Sequence, residues 1–209
     1  TSHVLINNSY GVTGGIVSQT NVSCFGGTDG AVTLQINGGI PPYSYSINGI
    51  QFQSSPTFTG LTAGNYTASV RDSKGCSAFV AVQILQPNLL QAIVDSVQNI
   101  LCSGGTTGGI FISVNGGTAP YNFLWSNGAI TEDITGISAG TYNVAITDSK
   151  GCSTAVGATL TEPLPLYLSI ASFNNLNCYN DSSGAIDITV SGGVPPYSFA
   201  WSTGATSED

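Results

Sequence analysis

The sequence predicts an all-β fold, built as tandem immunoglobulin-like (fibronectin III-like) antiparallel β-sandwich repeats that follow one another end to end. Three observations support this prediction. Apolar and polar residues alternate along short segments, which is the period of a half-buried strand. Glycine makes up 27 of the 209 residues and separates these segments, as expected for turns. Blocks of similar sequence recur about every 76 residues, which is typical of repeat architectures.

The first repeat is predicted at residues 11–87 and the second at 88–163. Residues 164–209 correspond to the N-terminal half of a third repeat only. Residues 1–10 match nothing later, so they form a tail or the end of a preceding unit. The joints contain Gln86-Pro87 and Glu162-Pro163, and proline stiffens such short connections. We therefore expect little slack between consecutive repeats.

Charge and hydropathy exclude several classes of function. Only 7% of the residues are charged, and the net charge is −8. Nucleic-acid binding needs a basic surface, which this composition cannot supply. No apolar run approaches the ~20 residues that span a bilayer, so no membrane insertion is expected. No signal peptide is recognisable, and we expect that a leader has been removed or that the chain is an internal fragment.

Each complete repeat is predicted to contain six strands, and the second repeat shows them most clearly. Its first strand runs over residues 91–101. In the next strand Ile110, Ile112 and Val114 occupy every second position, which places them on one buried face. A Gly-Gly turn with a Pro-Tyr exit follows, because glycine allows positive φ and proline is tolerated where a strand begins.

The third strand carries aromatic residues at every second position. An aromatic stripe could be a platform for a ligand or part of the core. Its period-two spacing beside an apolar strand favours the core, since aromatic rings supply the largest apolar area in the chain. The stripe consists of Tyr43/Tyr45/Ile47 in the first repeat, Tyr121/Phe123/Trp125 in the second and Tyr197/Phe199/Trp201 in the third.

The second half of a repeat begins at a predicted two-residue hairpin turn, Asn127-Gly128, in which both residues have positive φ. A fourth strand over residues 129–137 follows. Tyr142, and Tyr66 in the first repeat, then match the tyrosine corner of immunoglobulin-like sandwiches, where the phenol bonds back to the chain. Asp148-Ser-Lys-Gly151 fits a type I turn between the last two strands.

Five cysteines in a chain with almost no lysine indicate an exported protein with disulfides. Four antiparallel strands separate the turns that carry Cys102 and Cys152, so both turns fall at the same end of one sandwich. This predicts the pairs Cys24–Cys76 and Cys102–Cys152, each worth about 4 kcal/mol in the chain-entropy model. Cys178 is left unpaired by truncation of its repeat. Bridges between units, or free thiols, would mean that this topology is wrong.

The order Cys-x-Gly-Gly, Gly-Gly-x-x-Pro-Tyr-x-Phe-x-Trp-Ser-Asn-Gly, Ala-Gly-Thr-Tyr-x-Val-x-Ile-x-Asp-x-x-Gly-Cys closely resembles the SprB repeat of cell-surface adhesins in gliding Bacteroidetes. The resemblance covers nearly all of residues 14–209. It implies a secreted, outer-membrane-associated protein that the type IX system exports and that takes part in gliding motility. The first repeat departs from the pattern at Ile47, where Trp is expected, and the second has Thr107 where the first has Asp29.

Catalytic and metal sites have little support in the sequence. His3 is the only histidine and lies in the unmatched tail, so no Ser/His/Asp or Cys/His set can be built. No pair of carboxylates recurs between repeats, and no enzyme is expected. Asp72 and Asp148 recur and could bind Ca²⁺ together with carbonyl oxygens. The turn alone explains both residues, so we expect no metal and no other cofactor.

Two functions fit these observations. The first is a stalk or fibre segment of an adhesin, whose partners are neighbouring repeats and, through long uncharged edge strands, other copies of the chain. The alternative is a set of β-sandwich modules that bind carbohydrate or another surface polymer. The direction of the aromatic stripe distinguishes them, because a buried stripe cannot serve as a platform.

Overall fold

The computed structural model describes residues 11–208; the N-terminal tail with His3 and the last residue, Asp209, lie outside the described residues. The described range contains fourteen β-strands. The first repeat comprises β1 (Thr13–Thr20), β2 (Gly30–Asn37), β3 (Ser44–Ser46), β4 (Thr57–Leu61), β5 (Gly64–Arg71) and β6 (Ser77–Ile84). The second comprises β7 (Gln91–Gln98), β8 (Gly108–Asn115), β9 (Asn122–Trp125), β10 (Ile134–Ile137), β11 (Gly140–Thr147) and β12 (Ser153–Leu160). The third comprises β13 (Tyr167–Asn174) and β14 (Ala185–Ser191).

The first repeat is a sandwich of two antiparallel three-stranded sheets, with strand orders β1-β2-β4 and β3-β5-β6. The register pairs Val32 with Phe58 in one sheet and Tyr45 with Val70 in the other. Alternate residues of both sheets meet in a single core, as the period-two pattern predicts. This core consists of Val22, Val32, Leu34, Tyr45, Leu61, Ala68, Val70, Val80, Val82 and Ile84.

The second repeat has the same topology, with sheets β10-β8-β7 and β12-β11-β9. Most predicted inward positions are buried: Ile110 and Ile146 are 0% exposed, and Ile112 is 5% exposed, whereas Val114 is half-buried. The predicted fold class, tandem immunoglobulin-like antiparallel sandwiches, and the six strands per repeat are therefore confirmed. No helix in the part of the chain that the structure describes is long and apolar enough to cross a membrane.

The third repeat contains one two-stranded sheet, in which β13 pairs with β14. Ile170 lies opposite Ile188 in this sheet. Among the described residues no second sheet packs on it. As a result Ile186, which occupies the position of Ile110, is 48% exposed.

Contacts between Cα atoms divide the chain into two compact units. Among the described residues, the first contains residues 11–91, 114–122 and 147–154, and the second contains residues 92–113, 123–146 and 155–208. Two turns of the second repeat thus belong to the same unit as the whole first repeat. The repeat boundaries at 87/88 and 163/164 remain predictions from the sequence.

The Asn-Gly turn differs from its prediction. Gly128 has a φ of 87°, but Asn127 is not among the described residues with positive φ. The Gly128 N–H donates to the Trp125 carbonyl, and the Trp125 N–H donates to the Ala129 carbonyl. A type I turn followed by a left-handed glycine needs only one residue with positive φ, so the asparagine keeps an ordinary conformation. The Gly-Gly turns, in contrast, lead into cis peptide bonds at Pro41-Pro42, Ala119-Pro120 and Pro195-Pro196.

Candidate functional site

The candidate site is the junction between the first and second repeats, which lies within the first compact unit. Three segments form it. The cysteine loop, residues 22–27, follows β1. The Gly-Gly turn of the second repeat covers residues 116–121, and the Asp148 turn covers residues 148–152 and connects β11 to β12.

The cysteine loop is hydrogen-bonded to the joint that leads into the second repeat. The Val22 N–H donates to the Leu85 carbonyl at 2.9 Å, and the Leu85 N–H donates to Asn21 Oδ1 at 3.0 Å. The Gly26 N–H donates to Gln86 Oε1 at 2.8 Å. These bonds tie the cysteine loop to residues 85 and 86, although most of the groups involved are exposed. The sequence predicts Gln86 only as part of a stiff joint and not as an acceptor for the loop, although a polar residue before proline recurs in both joints.

The Asp148 carboxylate connects the last turn of the second repeat to its Gly-Gly turn. Its Oδ1 accepts hydrogen bonds from the N–H groups of Lys150 and Cys152, at 2.8 and 2.9 Å. Its Oδ2 accepts one from the Thr118 N–H at 2.8 Å. The Gly151 N–H donates to the Asp148 carbonyl, which is the bond of the predicted turn. Asp148 is 3% exposed, so its oxygens are directed at backbone donors and away from solvent.

Asp72 is held in the same way in the first repeat. Its oxygens accept bonds from the N–H groups of Ile40, Lys74 and Cys76. Burial raises the pKa of both Asp72 and Asp148, but the backbone N–H donors together outweigh burial and lower the pKa of each below its ordinary value. These carboxylates therefore act as turn-forming anions. Within the described range no group of three or more His, Cys, Asp or Glu residues could hold a metal ion.

The junction is closed by a disulfide between Cys24 of the cysteine loop and Cys152 of the Asp148 turn. Their Cα atoms are 5.6 Å apart, and 128 residues separate them in sequence. The predicted pairs Cys24–Cys76 and Cys102–Cys152 are therefore wrong. Cys76, Cys102 and Cys178 have free, exposed thiols in the structure.

The physical reason for this difference is distance. The number of strands places two turns at one end of a sandwich, but it does not specify how far apart these turns lie. The joint at Gln86-Pro87 is short, and it brings the Asp148 turn of the second repeat against the cysteine loop of the first. The bond consequently joins consecutive repeats, which was the alternative left open by the sequence.

The predicted tyrosine corners lie outside the junction and hold the crossover before β5 and β11. The Tyr66 hydroxyl donates to the Thr62 carbonyl at 2.9 Å, and the Tyr142 hydroxyl donates to the Ser138 carbonyl at 3.1 Å. Each bond returns to the chain four residues upstream. The two corner bonds position β5 and β11, the strands that lead into the Asp72 and Asp148 turns.

The aromatic stripe of the second repeat faces the core. Trp125 is 2% exposed, and its Nε1–H donates to the Thr131 carbonyl at 2.9 Å. Tyr121 and Phe123 are half-buried, and the Tyr121 hydroxyl donates to the Gly116 carbonyl. In the third repeat the equivalent residues line an open groove of about 890 Å³.

The family model of the SprB repeat matches residues 16–52, 94–130 and 170–206. Together these segments cover more than half of the chain. The chain belongs to the SprB repeat family. Each match spans the first half of one repeat, from its first strand to just beyond the turn that follows the aromatic stripe. Curated proteins include no significant match to this SprB repeat chain.

Several solved structures are similar in fold. A C-terminal fragment of intimin, determined with the intimin-binding domain of the translocated intimin receptor, is 15% identical, with a TM-score of 0.35 over 77% of this chain and 66% of that one. Fibronectin(III)-like modules of CbhA from Clostridium thermocellum are 14% identical, with a TM-score of 0.32 over 72% and 94%. The N-terminal eight immunoglobulin domains of Down Syndrome Cell Adhesion Molecule are 16% identical, with a TM-score of 0.41 over 85% and 28%.

Proposed function

We propose that this chain is a non-catalytic stalk or fibre segment of a secreted bacterial cell-surface adhesin that acts in surface adhesion and gliding motility. The observation that carries the proposal is the disulfide between Cys24 and Cys152, which fastens one SprB repeat to the next. A covalent bond between consecutive repeats keeps them together when a pulling force acts on the chain. A stalk that transmits load to a surface experiences such a force.

The tasks of the polar side chains support a mechanical role over a catalytic one. Asp72 and Asp148 are occupied by backbone N–H donors. Tyr66 and Tyr142 are occupied by their corner bonds. These four recurring polar side chains are thereby used in building the repeats.

Binding of a surface polysaccharide or another polymer is the second candidate. In the complete repeats Tyr45 and Trp125 are buried, which removes the stripe as a platform there. The open groove with Tyr197, Phe199 and Trp201 is the observation that favours this alternative. Robust binding of the purified chain to glycans on an array would support it.

The adhesin proposal is tested on intact cells of the bacterium that encodes the chain. Antibodies raised against the purified chain are expected to label unpermeabilised cells, and brief external proteolysis is expected to abolish the labelling. Monovalent Fab fragments of the same antibodies are expected to reduce attachment to glass and to slow gliding. Labelling that appears only after permeabilisation would contradict the proposal.

A further inference from the structure

The third repeat presents an apolar groove within the second compact unit. The groove is lined by one face of β13 and β14 and by the aromatic stripe beyond them. Leu166 is 65% exposed, Ile170 63% and Ile186 48%, and Trp201 is only half-buried. Apolar area of this extent is usually covered in a folded protein.

The complete repeats show what covers the same face. Val32 and Ile110, which occupy the position of Ile186, are 1% and 0% exposed. In the first repeat Val32 shares one core with Val70 of β5 and Val82 of β6. The cover is therefore the hairpin of the last two strands, β5 and β6 in the first repeat and β11 and β12 in the second.

The rim of the groove carries a second cysteine loop, residues 100–105, which has the same hydrogen bonds as the loop around Cys24. The Ile100 N–H donates to the Thr161 carbonyl at 3.0 Å, and the Gly105 N–H donates to the Cys102 carbonyl at 2.9 Å. The Gly104 N–H donates to Glu162 Oε2 at 2.6 Å, where Gln86 serves the first loop. Cys102 lines the groove with an exposed free thiol.

The Gly-Gly turn of the third repeat has the same backbone hydrogen bond as the Gly-Gly turn at the junction in the first unit. The Gly193 N–H donates to the Leu164 carbonyl at 2.8 Å, as the Gly117 N–H donates to the Asn88 carbonyl at 2.9 Å. Val194 holds the position of Thr118, which receives Asp148 in the second repeat. Val194 is 63% exposed and lines the groove beside the loop of Cys102.

We propose that this groove is the seat for a further copy of the β11–β12 hairpin, and that Cys102 forms a disulfide with the turn cysteine of that hairpin. The occupant is a β-hairpin with the sequence pattern of residues 140–160: alternating Val and Ile on one face, followed by an Asp-Ser-Lys-Gly-Cys turn. Cys24, Cys102 and Cys178 each follow the first strand of a repeat, and we call them loop cysteines. Cys76 and Cys152 each follow the Asp turn, and we call them turn cysteines. Every loop cysteine then bonds to the turn cysteine of the following repeat, and the array is a ladder of staggered disulfides.

The bond forms by two thiol–disulfide exchanges with a small-molecule disulfide such as oxidised glutathione. The Cys102 thiolate attacks one sulfur, forms a mixed disulfide and releases one glutathione thiolate. The thiolate of the hairpin cysteine then attacks the Cys102 sulfur and releases the second. Two protein thiols are oxidised, and one glutathione disulfide is reduced to two thiols. The proposal rests on the stalk function, because it describes how consecutive repeats are fastened. Its test uses the purified chain and therefore does not depend on whether the chain mediates adhesion.

The test extends the full chain after Asp209 with a copy of residues 134–163. Asp209 occupies the position of Asp133, so the extension continues the repeat in register. The protein is equilibrated with reduced and oxidised glutathione, and its disulfides are mapped by non-reducing peptide mass spectrometry. We expect Cys102 to be linked to the appended copy of Cys152. We also expect acrylamide quenching of Trp201 to fall severalfold, while Trp125 is already buried in both proteins.

A matched control replaces the appended copies of Val144 and Ile146 by serine, and this variant is expected to show neither the bond nor the protection of Trp201. The proposal is overturned if the appended cysteine stays a thiol, or bonds to Cys76 or Cys178. It is also overturned if the unextended chain dimerises with Trp201 protected, because a second copy would then occupy the groove. None of these outcomes bears on surface labelling of cells, which tests the adhesin proposal separately.

Discussion

At the scale of single residues, the recurring polar side chains are explained by backbone donors. A carboxylate at position 148 satisfies three N–H groups from two different turns, which no neutral side chain of that length can do equally well. Tyr142 combines an apolar ring, which is half-buried in the sandwich, with a hydroxyl that donates to the Ser138 carbonyl. Both residues were visible in the sequence as recurrence, and the structure adds the backbone groups that each of them bonds.

Asp148→Asn is expected to destabilise the fold at neutral pH, because the amide nitrogen would face backbone N–H donors. The folded pKa of Asp148 lies below its ordinary value of 3.8. The unfolded chain therefore takes up the proton first as the pH falls, and the stability contributed by Asp148 is present above about 3.8 and lost as the pH drops through the folded pKa.

Urea denaturation between pH 7 and pH 2 measures this dependence. The difference between Asp148→Asn and the unmodified chain is expected to shrink as the pH falls below the ordinary carboxyl range. Glu132→Gln, an exposed residue with the same loss of charge, is the control and is expected to have little effect. A difference that stays constant with pH would show that the charge of Asp148 is irrelevant.

Tyr142→Phe keeps the ring and removes the corner hydrogen bond. Loss of one such bond is expected to lower the free energy of unfolding by about 0.5–1.5 kcal/mol. Tyr167 is 65% exposed, so Tyr167→Phe is expected to leave it unchanged. Equal midpoints of thermal unfolding for Tyr142→Phe and the unmodified chain would show that the corner contributes nothing.

At the scale of strands, the period-two pattern was sufficient to place the core. Ile110 and Ile112 face inward as the pattern predicts, because a strand can bury only every second side chain. The pattern could not select the conformation of the Asn-Gly turn. A type I turn with one left-handed glycine and a primed turn both suit the same two residues, and the choice depends on how the flanking strands pair.

Ile146→Ala in β11 is expected to cost about 2–5 kcal/mol, because the residue is 0% exposed and its removal leaves a cavity. The same substitution at Ile130, which is 74% exposed, is expected to change stability by less than about 0.5 kcal/mol. Chemical denaturation monitored by circular dichroism compares the two variants. Similar losses for both would mean that β11 does not contribute its inward face to the core.

At the scale of the whole molecule, the repeats and their fold were predictable, whereas the disulfide between repeats was not. Cysteines recur with the period of the repeat, so spacing alone allows a bond within a repeat or to the next one. Which of these two bonds forms depends on how closely the joint brings the Asp148 turn to Cys24. That distance depends on hydrogen bonds that Gln86 accepts from Gly26 and Asn21 accepts from Leu85, and the spacing of the cysteines does not specify it.

Cys152→Ser is expected to lower the free energy of unfolding by about 5 kcal/mol in the chain-entropy model, because the bond closes a separation of 128 residues. Cys76→Ser replaces the equivalent turn cysteine, which is a free thiol, and is expected to leave stability nearly unchanged. Denaturation of both variants under oxidising conditions makes the comparison. Equal loss in both would favour bonds within each repeat.

The same bond determines how the chain would respond to tension. A force applied to residues before Cys24 and after Cys152 passes through two sulfur atoms, so the polypeptide between them bears none of it. At about 3.3–3.6 Å per residue, the shielded separation of 128 residues corresponds to about 420–460 Å of hidden length. Single-molecule stretching is expected to release this length only after a reductant is added, whereas Cys24→Ser should extend fully without one. A stalk built on this plan would have a contour length that depends on the redox state of its surroundings.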